Sequence, residues 1–127
     1  MEQKLLVDSA LNMPGEDTNL VADFCKFAQE ELKLSCDFKI KVVLDRAQNN
    51  IKTTAYFDPQ TNEVCVWGHN RNVLDICRSI AHEMVHMQQH DRGLITRPIK
   101  DIGGFHEDQA NAKAGVLVKK FIYDKNL

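Results

Sequence analysis

A chain of 127 residues with 43% hydrophobic and 27% charged residues has the make-up of one globular domain, residues 1–127, long enough to bury a core without disulfides or metal as its main support. The formal charge of −2 and the lack of a long basic run exclude the electrostatic footprint of a nucleic-acid binder. The apolar stretches are far too short to span a membrane, and the opening Met1-Glu2-Gln3-Lys4-Leu5-Leu6-Val7-Asp8 has neither the apolar run nor the cleavage site of a secretory signal, so a cytoplasmic protein with no membrane partner is expected.

In chain order, residues 1–17 read as an irregular N-terminal segment that ends in the turn-rich Asn12-Met13-Pro14-Gly15-Glu16-Asp17. Thr18 or Asn19 can cap a first helix, in which Leu20, Val21, Phe24, Phe27, Ala28 and Leu32 recur at helical spacing while Glu30 and Glu31 face water. Phe38 to Leu44 alternates apolar and lysine residues as a strand does. Thr53 to Phe57 and Glu63 to Trp67 are β-rich runs joined by the turn Asp58-Pro59-Gln60-Thr61-Asn62, which predicts a hairpin. Asn72 then caps a helix from about Val73 to about His90, stopped by Gly93. A loop containing Pro98, Gly103 and Gly104 leads to a final helix from about Phe105 to about Tyr123. Helix, three strands, helix, loop and helix make an α+β domain. The four cysteines, Cys25, Cys36, Cys65 and Cys77, show no C-x-x-C pair. Three of them sit within apolar stripes or strands, where free thiols pack as small hydrophobes, as they do in a reducing compartment.

The chemistry concentrates in Ala81-His82-Glu83-Met84-Val85-His86-Met87, an H-E-x-x-H pattern inside a predicted helix. Residues four apart lie about 40° apart around a helix and about one turn apart along it, so both imidazoles can face one ion. Glu83, about 100° away from His82, reaches water beside the ion instead of the ion itself. On this helix Val73, Cys77, Ile80 and Met84 form the core stripe, and His82 and His86 project from roughly the opposite side.

A catalytic zinc site needs a third protein ligand and one position left for water. His90 continues the four-residue spacing, yet it stands about 6 Å along the axis beyond an ion held by the other two histidines. Position 92, where some extended motifs carry a third histidine, is Arg92. The final helix offers a better donor. Glu107, Ala110, Asn111, Ala114, Val118 and Phe121 share one face, and small residues at 110 and 114 permit close packing against the metal helix, which brings the Glu107 carboxylate to the ion. Asn111, one turn on, is placed to accept from the spare ring N–H of a ligand histidine.

His82-Glu83-x-x-His86, followed twenty-one residues later by Glu107 within Glu107-Asp108-Gln109-Ala110-Asn111, resembles the gluzincin metallopeptidases, and looks most like their small ImmA/IrrE-type members. The likeness covers about Tyr56 to Val118 in order of elements. It implies a zincin-like fold, Zn2+ held by two histidines and a glutamate, and hydrolysis of a peptide or protein substrate. It also implies that Glu63 to Trp67 is the sheet edge along which the substrate lies. Glu83 is then the general base that activates zinc-bound water. Tyr56, His69, His106 and Tyr123 are all candidates for stabilising the oxyanion, and the sequence does not choose among them. Two other classes stay open beside the peptidase. One is a catalytically silent zinc-binding protein of regulatory or phage-associated role; the other is a metal-dependent hydrolase of a non-peptide bond.

Overall fold

The computed structural model describes residues 3–93 and 105–127. The expected loop with Pro98, Gly103 and Gly104 lies outside them. The elements are β1 (Gln3–Val7), α1 (Gly15–Glu31), β2 (Phe38–Val43), β3 (Ala55–Asp58), β4 (Glu63–Trp67), α2 (Val73–Asp91) and α3 (Phe105–Lys125). This is an α+β fold in which helices cover one face of a small mixed sheet. The sheet order is β1-β2-β4-β3, with β1, β2 and β4 parallel and β3 antiparallel to β4.

Two points of the sheet differ from the sequence reading. Gln3–Val7 is a strand and not an irregular lead-in: it pairs with β2 so that Leu5 stands opposite Ile40. Its exposure alternates along its length, which marks an edge strand with one face on the core. The second difference concerns the other edge. β4 is an interior strand, because parallel pairing with β2 on one side and the hairpin to β3 on the other leave Val64, Cys65 and Val66 fully buried. Among the described residues, the free edge on that side is β3.

The register of the mixed sheet aligns Leu5, Ile40, Val64 and Phe57 across one face. These residues join Val21, Phe24 and Ala28 of α1, Ile76, Ile80 and Met84 of α2, and Ala110, Ala114, Leu117 and Phe121 of α3 in a continuous core. The other face carries a smaller cluster of Val43, Ile51 and Cys65, edged by Tyr56 and Trp67. Helix α1 begins at Gly15, earlier than Thr18 or Asn19. Pro14 occupies the N-cap, and the Thr18 hydroxyl donates back to the Pro14 carbonyl instead of capping. The middle of α1 meets the C-terminal part of α3 through Phe24 and Phe121, whose rings stand edge-on with centroids 5.1 Å apart.

Gly68 closes β4 where the chain turns toward α2. A Cβ there would stand 2.7 Å from Val42 Cγ1 and 3.3 Å from Leu11 Cδ1. Val42 is fully buried and short, so it has no room to move aside. Gly68→Ala is therefore expected to destabilise the fold by about 1–3 kcal/mol, as overpacking does. Chemical denaturation would register this as a lower midpoint with unchanged slope, and an unchanged midpoint would show that the Gly68 corner relaxes freely.

Candidate metal centre

Asn72 begins α2 as expected, its side-chain oxygen accepting from the Leu74 N–H at 2.8 Å, and Gly93 at φ +74° follows its last turn. The helix is not simply two-faced. From Ile80 onward α3 packs over the side opposite the sheet, so that Met84, Val85, His86, Met87, Gln88 and Gln89 are all buried in succession. The histidines accordingly do not lie on an open face: His86 is 2% exposed, and His82 is half-buried. Ala110 and Ala114 are the small residues at the α2–α3 contact, both buried, with Leu117 and Phe121 continuing the seam.

That close approach brings Glu107, in the first turn of α3, to the histidines. His82 Nε2 lies 3.3 Å and His86 Nε2 2.5 Å from Glu107 Oε1, and the two Nε2 atoms are 3.2 Å apart. All three donor atoms fall within 4.8 Å of one another, and among the described residues no other set of three His, Cys, Asp or Glu converges in this way. Ligands about 2.0–2.2 Å from a tetrahedral zinc stand roughly 3.3–3.6 Å from each other; the 3.3 Å edge meets that spacing, the 3.2 Å edge falls just short and the 2.5 Å edge is tighter, while two nitrogens with one carboxylate oxygen suit the ion chemically. His90 is not part of the group; its ring packs on Phe57 at 6.0 Å.

Glu83 is 7% exposed and opens onto the same cavity. Burial, and after it the Glu107 carboxylate, push its pKa up to about 8. A cation held at the donor cluster acts against both causes. His86 is held below its ordinary value, first because burial disfavours the imidazolium, and the neutral ring is the form that ligates metal.

The His86 Nδ1 atom lies 2.8 Å from Gln89 Oε1, so the supporting contact expected of Asn111 is made for this ring by a residue on its own helix. Asn111 is exposed and lines the cavity one turn along α3 from Glu107. The cavity encloses about 300 Å³ between α2, α3 and the approach to β3. Thr53, Thr54 and Ala55 form one wall. The α2 flank contributes Asp75, Arg78 and Ser79 as well as His82 and Glu83, and Arg71 closes the far end. Arg71 is fixed there by hydrogen bonds to the Trp67 and Asp75 carbonyls and to Ser79 Oγ.

None of the four oxyanion candidates lines this cavity. Tyr56 faces Cys65 on the far side of the sheet, His69 packs on Trp67, and Tyr123 is 84% exposed near the end of α3. His106 precedes Glu107, with its Nδ1 buried and without a hydrogen-bond partner among the described residues. Arg71 and Arg78 are the cavity's cations. Arg78 stands one turn before His82 on α2, and Arg71 lies just ahead of the helix start, eleven residues before His82.

No family model matches the chain, and no curated protein matches its sequence. Two solved structures share its fold, both of Wss1 from Saccharomyces cerevisiae. The first superposes with a TM-score of 0.59 at 14% identity, covering 98% of this chain and 93% of that one. The second, a Wss1 mutant, gives 0.56 at 12% identity, covering 98% and 94%. At such identity the likeness is one of fold. The chain is a distant structural relative of Wss1 that carries a His82, His86 and Glu107 cluster in a zincin-like arrangement.

Proposed function

We propose that the protein is a zinc-dependent peptidase of gluzincin type, in which His82, His86 and Glu107 hold the ion and Glu83 is the general base. The observation that carries this reading is the convergence of two imidazole Nε2 atoms and one carboxylate oxygen in the same cavity as a buried glutamate that is not part of the donor cluster. A purely structural zinc site has no use for a second carboxylate that stands beside its ligands without being one of them. When bound, zinc acidifies water and polarises the scissile carbonyl.

The remaining work falls to the chain. Glu83 takes a proton from the attacking water as its oxygen bonds to the carbonyl carbon, and returns that proton to the leaving amine as the C–N bond breaks. The edge of β3 that no described strand covers, reached through Thr53, Thr54 and Ala55 on the cavity wall, is where an extended peptide can add. This replaces β4 as the substrate-facing strand. Asn111 lines the opposite wall of the cavity, on α3.

The test combines metal analysis with digestion of a broad peptide library. The expected result is about one zinc per chain and cleavage that a chelator abolishes and zinc restores. A zinc-loaded protein that cleaves nothing would support the catalytically silent alternative. No zinc taken up on titration would remove the metal centre itself.

A further inference from the structure

The side chain of Gln89 is 1% exposed, and the orientation of its amide follows from its neighbours. One end lies 3.1 Å from the backbone carbonyl oxygen of His106, which can only accept. That end must be the Nε2 donor, and its second hydrogen goes to Gln109 Oε1 at 2.8 Å. The other end is then Oε1, 2.8 Å from His86 Nδ1. An amide oxygen carries no proton to donate, so Nδ1 must bear the hydrogen. A neutral imidazole has one N–H, which turns the Nε2 lone pair toward His82 Nε2 and Glu107 Oε1, an arrangement of acceptors that a cation among them, or a proton shared with Glu107, reconciles. A backbone carbonyl on α3 thus dictates, through one amide, which nitrogen His86 offers to an ion.

The same amide holds α3 in place. Its two donor contacts grip His106 and Gln109, which flank Glu107 in the first turn of that helix. Its neighbour Gln88 makes a comparable polar tie, donating to the Leu32 carbonyl and accepting from Lys113 Nζ, but touches none of the three donor residues. Resting on the reading of His82, His86 and Glu107 as metal ligands, we propose that Gln89 is the positioning residue of the centre. It holds His86 in the Nδ1–H tautomer and fixes the turn that presents Glu107, so that both donor atoms point to one place.

The test uses the full-length chain, with far-UV circular dichroism as the control for folding. In the metal-free, 15N-labelled wild type, long-range proton–nitrogen correlation is expected to show His86 protonated at Nδ1. Gln89→Met keeps the length but cannot accept from the ring, and the His86 ring should shift toward the Nε2–H tautomer. Its zinc affinity, measured by competition with a chromophoric chelator, should fall roughly 10–100-fold, the usual cost of losing such a contact. Gln89→Glu restores the acceptor to the ring but not the donor to the His106 carbonyl, so it should recover the Nδ1–H tautomer and only part of the affinity, which a merely space-filling role for Gln89 does not predict.

An Nε2-protonated His86 in the wild type overturns the proposal even if Gln89→Met fails to fold. An unchanged tautomer and affinity in folded Gln89→Met overturns it as well. A wild type that takes up no zinc at all sinks the metal reading instead, and the tautomer measurement still decides what Gln89 does to His86.

Discussion

Glu107→Ala is expected to weaken zinc binding by more than the roughly 10–100-fold typical of losing an outer-shell contact, because it removes a donor atom and not its support. His90→Ala should leave affinity within a few-fold of the parent. The contrast rests on geometry. Glu107 Oε1 lies 2.5 and 3.3 Å from the two histidine nitrogens, whereas the His90 ring packs on Phe57 and is absent from the donor cluster. Four residues of helix carry His90 about 6 Å along the axis beyond His86, too far to share an ion with His82. The substitution is a fair one for the fold, since the Glu107 side chain is 21% exposed and lies in the first turn of α3, outside the buried seam of Ala110, Ala114, Leu117 and Phe121. Chelator competition on both variants reads the result. Equal losses, or a larger loss at His90, would show that the carboxylate is not the third ligand.

The legible parts of this molecule are those written in local spacing. The i, i+4 histidines, the Asn72 cap, the Asp58–Asn62 turn and the alanines of α3 each act within a few residues, and each element stands where its pattern places it. The exceptions depend on distant partners. Leu5-Leu6-Val7 is too short to announce itself, and it becomes a strand only because β2, more than thirty residues away, offers a parallel edge. β4 reads like any half-buried strand, and nothing in its own residues says that β2 and β3 flank it on both sides. Gln88 and Gln89 look like the polar end of an amphipathic helix. They are buried because α3 covers that side, and their amides then bond the Leu32 carbonyl at the C-cap of α1 and the His106 carbonyl of α3. One local signal was available: two glutamines following Met84-Val85-His86-Met87 interrupt a stretch that is apolar nearly all round, and polar groups in such a setting need partners.

Glu83→Gln should retain zinc and thermal stability while lowering peptide hydrolysis by at least roughly a hundredfold, the lower end of what a general base contributes. Glutamine keeps the shape of the side chain and its hydrogen-bonding oxygen, but has no basic group to take the proton from water. The fold should tolerate the change. Glu83 is 7% exposed, with its charged form opposed by burial and by the Glu107 carboxylate, so a neutral isostere removes a desolvation cost and no ion pair. Zinc should stay because Glu83 lies outside the three-residue donor cluster. The variant therefore separates roles that inactivity alone would confuse. Lost hydrolysis with full zinc content assigns the proton transfer to Glu83. Lost zinc would mean that Glu83 ligates or braces the ion, and the division of labour between the two glutamates would have to be redrawn. Hydrolysis at the parental rate would mean that water is activated by another group, and the cavity's remaining carboxylate outside the donor cluster, Asp75 on the flank of α2, would be the next residue to replace.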